Sequence, residues 1–260
     1  MSCRFLFRLI LLFSLTVAWN VHADETKLEA LNMKNTVLRI CQDQDTFAAI
    51  EHLVKQDDRL ATVKTFHEVM HHYYWKEKDL SRAISFGRAG VQHGMTTALP
   101  LQAQQPGLAD ELRSAAKAMA YDLASFTWTG WDEPGITITP ADLRIGLDAA
   151  RTNLRLAVEL KKEPLPLSRA HWILGAQQLA AGTLADAAQS FQQAATFAKA
   201  SGTESEHLLS LGFAALVNVL QSQGKTGRDE LEAIKTKLKQ LEDGEFFVGQ
   251  LDTAFKVFSK

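Results

Sequence analysis

His67-Glu68-Val69-Met70-His71 is the one segment whose residue types and spacing spell out a chemical step. Positions four apart on a helix share a face. Both imidazoles could therefore hold one zinc ion, with Glu68 as general base toward a water bound to it. The chemistry would be metal-assisted hydrolysis, and it needs a third protein donor, because a catalytic zinc keeps three side chains and one water. The stretch after His71 does not offer one at the usual distance. No glutamate occurs between Glu77 and Glu111, Tyr74-Trp75-Lys76-Glu77 lacks the glycine of an extended motif, and His93 is the only convenient candidate. No strand pattern is present to align a peptide substrate. The expectation is packed or partly exposed histidines, with no metal, no cofactor and no enzyme activity. A zinc-dependent metallohydrolase using His67, Glu68 and His71 is the alternative.

The second segment is Phe126-Thr127-Trp128-Thr129-Gly130-Trp131-Asp132-Glu133-Pro134-Gly135. Connections between packed helices usually take two to eight residues, so a longer loop with two tryptophans and two acids asks for a reason. Aromatic planes beside carboxylates suit a partner's basic segment, a cation or a sugar. Trp128, Trp131, Asp132 and Glu133 are therefore the expected partner-binding residues. The competing reading is a loop packed on itself, its tryptophans covering the ends of the helices.

Other chemistries lack their signatures. There is no glycine-rich phosphate loop and no Gly-x-Ser-x-Gly turn. Cys41, between Ile40 and Gln42, is a lone thiol without a paired histidine and reads as inert. The chain carries 28 Lys+Arg against 30 Asp+Glu, which excludes a generally basic nucleic-acid binder. With 46% hydrophobic residues over 260 positions, it can build a core without disulfides.

Two kinds of breaker set out the elements that must position these residues. All six prolines fall between Pro100 and Pro166, leaving two long proline-free stretches rich in helix formers. Strand-like alternation occurs only at Ile136-Thr137-Ile138-Thr139, too short for a sheet. The pattern predicts helices over 25–40, 45–55, 58–77, 80–93, 107–127, 140–161, 167–181, 184–200, 204–223 and 227–241, and one after Gly244. Thr139-Pro140-Ala141-Asp142 has the hydroxyl, proline and carboxylate of a helix start. Gly94, Gly182, Gly202, Gly224 and Gly244 are read as helix ends. Residues 1–23 stand apart. Arg4 and Arg8 precede an apolar run from Leu9 to Ala18, and Val21-His22-Ala23 supplies small residues for cleavage. This is the pattern of a secretory signal peptide, leaving a mature domain over 24–260 outside the cytoplasm, periplasmic in a bacterium.

A repeat runs through the second half. Leu174-Gly175 on one helix is followed by Ala187, Phe191 and Ala194 on the next. Ala150, Leu154 and Ala157 echo that triplet 37 residues earlier. Leu211-Gly212 echoes the Leu-Gly pair 37 residues later, and Tyr74, Ala83, Phe86 and Ala89 sketch a further unit. Residues 168–201 resemble a tetratricopeptide repeat, although Gln178 stands in place of its tyrosine and the terminal proline is missing; weaker likeness covers most of 58–241. The resemblance implies an all-α, right-handed solenoid of stacked antiparallel helix pairs. It also implies an exported scaffold or adaptor that binds a protein or peptide partner in the cell envelope.

Overall fold

The computed structural model describes residues 21–222 and 225–259. Residues 1–20 of the expected export segment, and Gly224, lie outside the described residues. Eleven α-helices and no strand are found among those described: α1 (Val21–Asp43), α2 (Thr46–Val54), α3 (Arg59–His72), α4 (Leu80–Ala98), α5 (Pro106–Phe126), α6 (Pro140–Glu159), α7 (Pro164–Ala180), α8 (Leu184–Ala200), α9 (Glu204–Ser222), α10 (Lys225–Leu238) and α11 (Gly244–Phe258). None is long and apolar enough to cross a membrane. From α3 to α10 each helix packs on the one before it and the one after it, so the chain advances in consecutive pairs.

Local chemistry explains the starts. Asp45, Asp58 and Asp79 each turn a carboxylate back onto the amide three residues on, at 2.7, 2.9 and 2.9 Å, satisfying a donor that no helical carbonyl reaches. Thr139 and Asp142 form the expected reciprocal capping box, with Pro140 as first helical residue. Pro164 and Pro166 both fall in the first turn of α7, where a missing N–H costs nothing, so α7 begins three residues earlier than predicted.

Two further features differ from expectation. Gly94 does not end α4, which runs on to Ala98. The glycine is there for closeness rather than for a turn. Helix α3 does not stop at His72 but loosens into a π-helical turn, Tyr73–Glu77, closed by Lys78 in a left-handed conformation at φ 55°.

Helices α7 and α8 interlock through small and large residues. A β-carbon on Gly175 would lie 3.0 Å from the Phe191 ring, and Ala187, Phe191 and Ala194 are all fully buried. Phe191 in turn stacks on Phe213 of α9, 5.1 Å between centroids. Helix α11 packs on α9 and α10 and also reaches back to the loop after α5. There Phe258 approaches Trp128 at 6.1 Å, and Lys256 meets Asp132 at 3.3 Å.

Candidate functional site

The polar centre of the molecule lies where α3 meets α5. These helices belong to successive pairs, and α4 joins them. One stripe of α4 is glycine: Gly87, Gly90 and Gly94, spaced to share a face. Each of them touches both neighbours. Added β-carbons would lie 2.6 Å from Met70 and 3.3 Å from Leu123 at Gly87, 2.6 Å from Phe66 and 2.5 Å from Met119 at Gly90, and 3.5 Å from Val63 and 3.2 Å from Ala116 at Gly94. The missing side chains let α4 sink between α3 and α5, and α3 and α5 close over it.

On that closed seam, His67 and His71 of α3 converge on Asp122 of α5. Their Nε2 atoms donate to the same carboxylate oxygen, Oδ2, at 2.6 and 2.7 Å. The two imidazoles stand nearly edge to face, 4.7 Å between centroids. Phe126, one turn beyond Asp122, packs its edge against His71 at 5.1 Å and stacks on Tyr74. An apolar aromatic wall thus fixes one side. The other side is open: the side chains of His67, His71 and Asp122 are 29%, 35% and 19% exposed. Burial raises the Asp122 pKa, but the two imidazole hydrogen bonds outweigh it and hold the carboxyl down at about 2. Asp122 is therefore ionised throughout the neutral range.

Asp122 is the third donor that sequence reasoning did not find. His93 is not that donor. It sits on α4 with its ring 5.9 Å from Phe66, and burial lowers its pKa. Glu68, one residue along from His67, is exposed to solvent. The stripes that carry the trio continue along both helices. Lys64, one turn before His67, and Glu111 and Ala115, on the Asp122 side of α5, line a shallow groove of about 460 Å³ together with Leu60, Asp110 and Ser114.

Beside the trio, α5 packs on α7, and its Tyr121 lies in the field of Glu206 on α9. Arg169 of α7 grips Glu206 of α9 through Nε at 2.9 Å and Nη2 at 2.5 Å. Lys162 donates to Ser114 at 2.8 Å. Lys117 lies between them, its pKa lowered to about 8 by burial first and then by the neighbouring Lys162 and Arg169 charges. Tyr121 of α5 is pushed up by burial. The first helices of successive pairs thus share one polar seam, which local sequence windows could not reveal.

The tryptophan loop is placed differently from expectation. Trp128 is 1% exposed and packs against Trp131, Trp172 and Phe213 at 4.8, 5.6 and 5.9 Å. It is a core residue and offers no ring to a partner, which corrects its assignment as a binding residue. Trp131 is partly buried and donates its indole N–H to the Ser125 carbonyl at 3.0 Å. Glu133 is 15% exposed and paired with Lys78 at 2.6 Å. Of the four residues expected to meet a partner, only Asp132 is exposed. The indoles reach helices that follow much later in the chain, so no local pattern could reveal their burial.

No family model matches the chain, and no curated protein matches it as a relative.

Proposed function

We propose that the mature chain is an exported, tetratricopeptide-like scaffold that binds a protein or peptide partner in the cell envelope, with its helix pairs stacked in a right-handed solenoid. The observation that carries the reading is the polar seam along α3, α5, α7 and α9. Charged and polar residues of a packed helix ordinarily lie on the face turned away from its neighbours. Here His71, Lys117, Tyr121, Asp122, Arg169 and Glu206 come from four different helices and interact with one another across them. The seam lies on the first helices of the pairs, the surface on which this kind of repeat receives an extended or helical segment.

The charge pattern favours a partner with carboxylates. Lys117 makes no hydrogen bond to an acid among the described residues, and in the field around it the Lys162 and Arg169 cations outweigh the Asp122 carboxylate. A carboxylate from a partner would relieve that repulsion and pair with a half-buried ammonium, where the interaction is less screened than at the surface.

Site-specific photo-crosslinking in the native host tests the reading. A crosslinker at Tyr121 should give a discrete adduct that Lys117→Glu abolishes, whereas one at the exposed Ala185 of α8 should not. Equal adducts from both positions would reject the seam as the binding surface. The mature protein should begin at Asp24 by mass spectrometry, and an intact Met1 end would reject export.

A further inference from the structure

We propose that His67, His71 and Asp122 form a binding site for one divalent transition-metal ion, with zinc the best fit. The proposal does not depend on the partner-binding reading. It rests on three donors of the right kind converging from two helices. One ring nitrogen of His67, one of His71 and one Asp122 oxygen all lie within 4.8 Å of one another. Two imidazoles and a carboxylate suit zinc and its first-row neighbours, whereas calcium and magnesium favour all-oxygen shells.

The distances are close to those a metal needs. Bonds of about 2.0–2.1 Å in a tetrahedral shell put donor atoms about 3.3 Å apart. The imidazole-to-carboxylate separations are 2.6 and 2.7 Å, so each must widen by well under 1 Å. A shift of that size is on the scale of side-chain rotation. The second requirement is rigidity. Helix α3 fixes the two histidines one turn apart, Phe126 braces the His71 ring, and the α4 glycines hold α3 against α5. The third is an entry path and a free coordination position. Both are supplied by the exposed side of the trio, so a water or a partner's side chain would complete the shell.

The protons also balance. Without metal, each Nε2 carries the hydrogen that it donates to Asp122. A neutral imidazole frees Nε2 for the ion by moving that proton to Nδ1 through solvent, and an imidazolium releases one proton to solvent. Asp122 is already ionised and gives up none.

Chelator-treated full-length mature protein titrated with zinc chloride is the test, read by calorimetry and by elemental analysis after dialysis. The expected result is one zinc per chain, with a cobalt(II) form showing the intense visible absorption of a tetrahedral site. Asp122→Asn and His71→Gln should each weaken zinc binding at least about a hundredfold, since even outer-shell losses cost 10–100-fold. His93→Gln should leave it unchanged. Circular dichroism confirms that each variant keeps its helices, and Asp122→Asn preserves shape and hydrogen-bonding capacity should the others fail to fold. No saturable zinc binding, or binding that Asp122→Asn leaves intact, would overturn the site and leave the trio as a hydrogen-bonded tie between α3 and α5.

Discussion

Gly90 lies directly over Phe66, so close that a single added carbon would stand 2.6 Å from the phenylalanine β-carbon. That atom is tied to the α3 backbone and cannot swing away as a side-chain tip could. Gly90→Ala should therefore force α3 from α4. Overpacking costs about 1–3 kcal/mol, against about 1 kcal/mol of improved helix propensity. A net loss of up to about 2 kcal/mol in chemical denaturation is expected. The same variant should spread the His67–Asp122 contact, seen as a change in the histidine ring resonances.

Gly249 is the counterexample within the same molecule. It sits inside α11, exposed, with no atom within 4 Å of an added β-carbon. Gly249→Ala should stabilise the protein by about 0.5–1 kcal/mol, by reducing the freedom of the unfolded chain. A thermal melt that falls rather than rises would reject this account of the helix.

Ala187→Leu tests the repeat register. The alanine is fully buried, in the helix whose Phe191 fills the space beside Gly175. A loss of about 1–3 kcal/mol is expected from overpacking. Unchanged stability would mean that α7 and α8 do not approach as described.

Trp128 and Asp132 should separate cleanly. Trp128→Ala removes a ring enclosed by residues from three later helices and should cost about 3–5 kcal/mol by denaturation. Asp132→Asn keeps a residue type that tolerates the left-handed backbone at φ 47° and should change stability by about 0.5 kcal/mol or less. The ion pair it removes, with Lys256, is solvent-exposed on both sides.

Asp122 carries a pH dependence with a definite sign. Its folded pKa, about 2, lies below the unfolded value of about 3.9. The stabilisation is thus complete above about pH 4 and is lost as the pH falls toward about 2, in total about 2–3 kcal/mol. Wild type minus Asp122→Asn, compared across acid denaturation curves, should show that segment. A difference independent of pH would mean the carboxylate is not held by the histidines.

The helices could be read from local signals because proline, glycine and capping residues act within a few positions. Thr139 with Asp142, and Asp58 with Ala61, are contacts three residues apart. Gly94 was misread because a glycine after an amphipathic run resembles a helix end, and its use in a close approach depends on Ala116 and Val63, which lie on other helices. The histidine pair was visible at once. Its third donor was not, since Asp122 is 51 residues beyond His71 and is delivered by the next helix pair rather than by the next turn.

The return of α11 to the loop after α5 changes how such a stack should come apart. Repeats that touch only their neighbours can fray one at a time from an end. Here Lys256 and Asp132 are 124 residues apart in sequence, and Phe258 closes over Trp128. Detaching the last helix uncovers the middle of the molecule, so the C-terminal end cannot loosen quietly. Contacts this far apart in sequence also form late and slowly. The chain should lose its structure in one cooperative step, and its last residues should set the rate at which it is regained.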